Sequence, residues 1–164
     1  MKVLYYGGQK SGKSRVAEQK ALALAGSRKP CYIATYDNSY GDSEMAERIT
    51  KHQLQRKESF TTIEESVRLD EVIKGDGTYL IDCMSMWILN TLHESEETIS
   101  ARINALAKLE ANIVFVLNDV GSGVIPMDAQ SRKYVDRSGT TGQRLAALCD
   151  EVYEVKLGLE RRLK

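Results

Sequence analysis

Gly7-Gly8-Gln9-Lys10-Ser11-Gly12-Lys13-Ser14 decides the fold of this chain. The run fits the spacing G-x-x-x-x-G-K-[ST], and so do its flanks. Val3-Leu4-Tyr5-Tyr6 before it is a short apolar run that reads as a first strand. Arg15 through Ala25 after it reads as a helix, which Gly26 ends. Strand, glycine loop and helix start together make an anion site, because curled backbone N–H groups and the helix N-terminus both favour negative charge. Gly7 and Gly12 permit the turn and the close approach of a phosphate. In such a loop Lys13 reaches the β- and γ-phosphates of a triphosphate, and the Ser14 hydroxyl binds Mg²⁺. The loop specifies a nucleoside triphosphate, but not what is done with it.

The rest of the chain extends this unit into an α/β fold. Apolar runs at Cys31–Ala34, Tyr79–Ile81, 113–117 and 152–155 read as strands, with a shorter one at Phe60–Ile63. Helical patterns fall at Ser43–Arg56, Ser66–Lys74, Ser85–Leu92, 96–110, 129–136 and 142–149. Strand and helix alternate, which predicts a mainly parallel twisted sheet flanked by helices, the P-loop NTPase class, as a single domain over 1–164. Ligands of such sheets sit beyond the carboxyl ends of the strands, so the polar residues that end strands are the ones that matter.

Composition narrows the partners. Lys plus Arg and Asp plus Glu are 23 each, which leaves no net charge to draw the chain to nucleic acid or an anionic membrane. No apolar run approaches the roughly 20 residues of a membrane span, and the first strand begins at once, so a cytoplasmic protein is expected. Cys31, Cys83 and Cys149 are odd in number and lie in apolar runs, which reads as buried reduced thiols.

Two strands end in a carboxylate: Leu80-Ile81-Asp82 and Leu117-Asn118-Asp119. Either Asp suits Mg²⁺ beside a phosphate loop, and either suits a cap on the segment that follows. Asn118 through Pro126 form a second glycine loop, which serves either a ligand or a turn. Helical spacing puts Met45, Ile49, His52 and Arg56 on one face, mixed in polarity. A neutral imidazole there is able to attack phosphorus and form a phosphoramidate, while a structural histidine is the plainer reading. His93 and Glu94-Ser95-Glu96-Glu97 read as a helix boundary, and Glu160–Lys164 as a solvated tail.

Taken in order, these motifs resemble one family, the bifunctional adenosylcobinamide kinase / adenosylcobinamide-phosphate guanylyltransferases. The resemblance rests on Gly7–Arg15, Tyr32–Thr35, Glu44–Ala46 with Arg48-Ile49 and His52, and Thr62–Glu64. It continues through Leu80–Cys83, Trp87 with Asn90, Asn118–Gly121 with Gly123 and Pro126, and Gln143–Ala146 leading to Asp150–Val152. It implies two reactions: phosphorylation of the aminopropanol hydroxyl of adenosylcobinamide by ATP or GTP, then transfer of GMP from GTP to that phosphate. It implies that His52 carries GMP covalently and that Asp82, rather than Asp119, joins Ser14 at Mg²⁺. The nucleotide contacts it implies are Gly7, Gly8, Gln9, Lys10, Ser11, Gly12, Lys13, Ser14, Ala34, Thr35, Tyr36, Gln53, Leu54, Gln55, Arg56, Glu64 and Asp82. It also implies a homotrimer. The chain departs from the family pattern at Gln53 (usually Arg), Lys57 (Pro), Phe60 (Trp), Val135 (Arg), Gly142 (Asn) and Glu160 (Pro). The competing readings are a kinase of another small alcohol without guanylyl transfer, and a non-catalytic nucleotide-dependent switch.

Overall fold

In the computed structural model, which describes residues 1–36 and 58–164, the strands form one seven-stranded sheet in the order β3-β2-β4-β5-β1-β6-β7. The strands are β1 (Lys2–Gly7), β2 (Cys31–Ala34), β3 (Thr61–Glu64), β4 (Thr78–Asp82), β5 (Asn112–Asn118), β6 (Glu151–Lys156) and β7 (Leu159–Arg162). All neighbours run parallel except β6 and β7. The described helices are α1 (Lys13–Ala25), α2 (Leu69–Val72), α3 (Met84–Asn90), α4 (Glu96–Lys108) and α5 (Ala129–Leu148). The expected helix Ser43–Arg56, with His52 and Gln53 to Arg56, lies outside the described residues.

Side-chain alternation along the strands builds two cores. Val3, Tyr5, Leu80, Val114 and Val116 face α1, where Val16, Ala17 and Ala21 meet them. The two alanines bring that helix close to the sheet and leave no gap. Leu4, Ile81, Ile113, Phe115 and Leu117 face the other way, against Ile88 of α3, Ile99 and Ile103 of α4, and Leu145 of α5. Ile113 through Leu117 are all buried, as a central parallel strand covered on both faces requires. The acidic stretch does start a helix: Ser95 Oγ accepts from the Thr98 N–H at 3.2 Å, and Glu96 and Glu97 occupy the first turn of α4. His93 is exposed beside it. Among the cysteines, all free, only Cys149 is buried, while Cys31 and Cys83 are half-buried.

Three expectations change. The helices expected at 129–136 and 142–149 are one continuous helix, α5, that runs through Gly139 and Gly142. A Cβ on Gly142 would stand 3.1 Å from a Leu117 methyl, so the glycine lets α5 lie on β5, and that packing outweighs its low helix propensity. The helix expected at Ser66–Lys74 shrinks to Leu69–Val72. The expected tail Glu160–Lys164 instead supplies β7, which pairs antiparallel with β6 through the turn residues Leu157 (φ 55°) and Gly158 (φ 78°). Two left-handed residues in a two-residue hairpin match strand twist. Lys164 Nζ then donates to the carbonyls of Ala146, Ala147 and Cys149, which closes the C-terminal end of α5.

Candidate active site

The phosphate loop connects β1 directly to α1. Gly7 is obligatory, because a Cβ there would collide with the Val155 carbonyl oxygen on β6. Gly12 holds φ 94° and would bring a Cβ within 3.1 Å of Gly158 Cα. The β6–β7 hairpin is therefore a wall of the loop. It is bonded there: Gly158 N–H donates to the Ser11 carbonyl at 2.8 Å, and Arg15 donates to the Gly158 carbonyl at 3.2 Å. Only the Leu157-Gly158 doublet hinted at this in the sequence, and a leucine in the left-handed region is an unusual turn residue.

Among the described residues no side chain caps the start of α1, and its first turn carries no acid. The opening N–H groups are left for an anion, with the helix dipole behind them. Lys13 is 7% exposed, and its Nζ donates to the Gly8 carbonyl at 3.0 Å. Burial lowers its pKa, and the Asp82 carboxylate works against that shift. A buried ammonium resting on its own loop, near one carboxylate, is placed to exchange a backbone carbonyl for phosphate oxygens. Gln9 and Lys10 are exposed at the turn of the loop.

Strand order brings the other expected residues to the same edge. Ala34 pairs with Asp82 and with Glu64, Asp82 with Val116, and Gly7 with Asn118. Ala34, Thr35, Tyr36, Glu64 and Asp82 thus share the carboxyl edge with the phosphate loop. Tyr32 donates to Asp82 Oδ2 at 3.3 Å. Thr35 is fully buried, and its hydroxyl donates to the Cys83 carbonyl at 2.8 Å while accepting from the Cys83 N–H. Its side chain locks β2 to β4, so any nucleotide contact from Thr35 uses another part of the residue. Trp87 and Asn90 of α3 hold the neighbouring strand ends: Trp87 Nε1 donates to the Val67 carbonyl, and Asn90 Nδ2 to the carbonyls of Thr35 and Ser66.

The two strand-end carboxylates part company here. Asp119 Oδ1 accepts from the N–H groups of Gly121 and Ser122, and Oδ2 from the Ser122 hydroxyl. Burial pushes the Asp119 carboxyl up, but the hydrogen bonds from Ser122, Tyr6 and the backbone outweigh it and hold it below its usual range. Tyr6 is raised to about 12, by burial first and then by its bond to Asp119. Asp119 therefore organises its own loop. Asp82, whose charge acts on Lys13, is the carboxylate placed at the phosphate loop. Mg²⁺ keeps several waters and uses one or two protein carboxylates plus phosphates. The Ser14 hydroxyl and the Asp82 carboxylate fit that preference, and among the described residues no group of three His, Cys, Asp or Glu gathers as a closed metal cage.

A cavity of about 300 Å³ lies under α5 on the sheet face away from α1, lined by Leu4, Leu117, Gly142 and Val152 and bordered at the strand end by Asn118 and Gly121. Among the described residues no helix is long and apolar enough to cross a membrane.

Comparison with known proteins fits this geometry. The model of the family described as cobinamide kinase / cobinamide phosphate guanyltransferase matches residues 3–163. The bifunctional adenosylcobalamin biosynthesis protein CobP of Pseudomonas aeruginosa is 34% identical, with 100% of this chain and 98% of that protein covered. The bifunctional adenosylcobalamin biosynthesis protein CobU of Escherichia coli is also 34% identical, over 100% of both chains. Its Salmonella typhimurium counterpart is 33% identical over the same extent. Among solved structures, a KaiC-like protein of Pyrococcus horikoshii matches with TM-score 0.47 and 11% identity over 93% of this chain and 69% of that one, too distant to bear on function. On the match along its whole length, the chain belongs to the cobinamide kinase / cobinamide phosphate guanyltransferase family.

Proposed function

We propose that this protein phosphorylates the aminopropanol hydroxyl of adenosylcobinamide with ATP or GTP and then transfers GMP from GTP to the resulting phosphate. One observation carries the reading: a chain that matches this family over residues 3–163 sets a phosphate loop without a side-chain cap, Lys13 and Asp82 on one sheet edge. In the first reaction the α1 N-terminus and the loop N–H groups hold the phosphates, and Lys13 follows the charge that develops on the γ-phosphoryl group. Ser14 and Asp82 would hold Mg²⁺, which would neutralise phosphate charge there. The nucleotide contacts expected at Gly7–Ser14, Ala34–Tyr36, Gln53–Arg56, Glu64 and Asp82 belong to this reading.

In the second reaction a ring nitrogen of His52 donates its lone pair to the α-phosphorus of GTP, and the bond to pyrophosphate breaks. A phosphate oxygen of the acceptor then displaces the imidazole and takes GMP. The segment that carries His52 lies outside the described residues, so sequence alone supports this step. Gln53 in place of the family's Arg removes a planar two-point phosphate donor beside it. We read this as a slower step, with Arg56 and Lys13 still present. The reading extends to a cytoplasmic homotrimer. Val124, Ile125 and Met127 are 95%, 78% and 97% exposed on the loop after β5, and an assembly that covered them would suit that expectation.

The test is intact-protein mass after incubation with GTP and Mg²⁺. Wild type gains the mass of GMP, the adduct is lost in acid and kept in base, and His52→Ala gains nothing. A wild type without adduct, alongside intact phosphorylation of cobinamide, would leave a kinase alone.

A further inference from the structure

Asn118 ends the strand that lies between the strand leading into the phosphate loop and the strand that ends in Asp82. Strand β5 runs between β1 and β4, so its end separates the end that carries Gly7 from the end that carries Asp82. Register sets the level: Asn118 pairs with Gly7, and Asp82 pairs with Val116, two residues earlier on β5. Alternation sets the face. Val114 and Val116 lie in the core under α1, as Leu80 does on β4 and Tyr5 on β1. The same period carries Asn118, Asp82 and Gly7 to the α1 side, the side of Lys13. The main chain of Asn118 is fixed on both flanks. Its N–H donates to Ser85 Oγ at 2.9 Å, and the next N–H, that of Asp119, donates to the Gly7 carbonyl at 2.8 Å.

In this fixed position Asn118 Oδ1 is buried and has no hydrogen-bond partner among the described residues. Ser11 Oγ, buried in the adjoining loop, shares that condition. An orphaned buried acceptor is expensive to a fold, and such groups persist where a ligand completes them. An amide oxygen only accepts. Phosphate oxygens offer it nothing; the Lys13 ammonium and any metal-bound water are drawn to the phosphates, which leaves the acceptor's hydroxyl as its donor.

We propose that Asn118 is a catalytic residue of the kinase half, its amide oxygen receiving a hydrogen bond from the attacking hydroxyl and aiming that oxygen at the γ-phosphorus. This role rests on the kinase reading above. As the acceptor oxygen bonds to phosphorus, the bond to the β,γ-bridging oxygen breaks and the nucleoside diphosphate leaves with the electron pair. An amide does not hold the proton, so it passes to a non-bridging oxygen of the transferred phosphoryl group. A loose transition state asks for little more than this alignment. Asp119, one residue on, is no rival for the role, because both its carboxylate oxygens are engaged within its own loop.

The experiment is steady-state phosphorylation of cobinamide by wild type, Asn118→Ala and Asn118→Ser, with the Kd of a non-hydrolysable triphosphate and the unfolding midpoint measured on each. The role predicts that Asn118→Ala loses about thirtyfold or more in kcat. The Kd stays within about twofold, the midpoint does not fall, and Asn118→Ser recovers part of the rate because it keeps an oxygen. A kcat within about threefold of wild type overturns the role, as does a loss of rate matched by equal losses of nucleotide affinity and stability. If Asn118→Ala fails to fold, the same criteria apply to Asn118→Leu, which keeps the volume and removes the amide. A wild type that phosphorylates no cobinamide overturns both this role and the reading beneath it, whereas an active wild type with an equally active variant overturns the role alone.

Discussion

At the scale of single residues, the site depends on which polar groups are already engaged. Lys13 spends its buried ammonium on the Gly8 carbonyl, a bond a triphosphate can replace at little loss. Lys13→Ala should therefore lower kcat/KM for phosphoryl transfer by about a hundredfold or more while the circular dichroism spectrum is unchanged. Wild-type turnover in the folded variant would remove Lys13 from the mechanism. Asp82 and Asp119 looked alike as residues that end apolar runs. What separates them is tertiary: the N–H groups of Gly121 and Ser122 close on Asp119, while Asp82 lies within range of Lys13. Asp82→Asn should accordingly raise the Mg²⁺ concentration needed for half-maximal turnover several-fold, and Asp119→Asn should leave it near wild type and lower the unfolding midpoint instead. A Mg²⁺ titration of both variants decides the order, and the reverse ranking would move the metal to the second glycine loop. No periodicity or spacing separates two strand-end carboxylates, because the difference lies in what folds back on each.

At the scale of elements, the strands and the phosphate loop were legible because their signals are local. A continuous apolar run such as Ile113–Leu117 has one comfortable place, the middle of a covered sheet. The loop's glycines and lysine carry their meaning within eight positions. Two elements were not legible. Helix α5 runs on through Gly139 and Gly142 because Gly142 meets Leu117, a contact no window of sequence contains. The β6–β7 hairpin turns on a leucine at φ 55°, and its purpose, to wall the phosphate loop, appears only when Gly158 is seen against Gly12. That wall is testable. Gly158→Val puts a β-branched residue at φ 78° beside the loop, which should cost about 1–3 kcal/mol. It should also weaken triphosphate binding, because the Gly158 N–H that fixes the Ser11 carbonyl shifts with it. Gly139→Ala, where a Cβ meets nothing within 4 Å, should be neutral or stabilising by about 0.5–1 kcal/mol and leave binding alone. Thermal melts and nucleotide titrations of the pair check this. Unchanged binding in Gly158→Val would mean the hairpin merely sits beside the loop.

At the scale of the whole molecule, one mainly parallel sheet gathers the phosphate loop, Asp82 and the end of β5 on its carboxyl edge, with α1 on one face and α3, α4 and α5 on the other. The second glycine loop leaves β5 at that edge and borders the cavity under α5. Family membership names the two reactions, and the groups we propose for the first of them lie together on this edge: loop amides, Lys13, Asp82 and Asn118. The most direct measurement is the mass of cobinamide after incubation with this protein and Mg²⁺, first with ATP alone and then with GTP added. The account predicts a gain of one phosphate in the first case and of a full GDP moiety in the second, with Lys13→Ala yielding neither at a comparable rate. Cobinamide recovered unchanged from both incubations, by a folded protein that binds triphosphate, would contradict it.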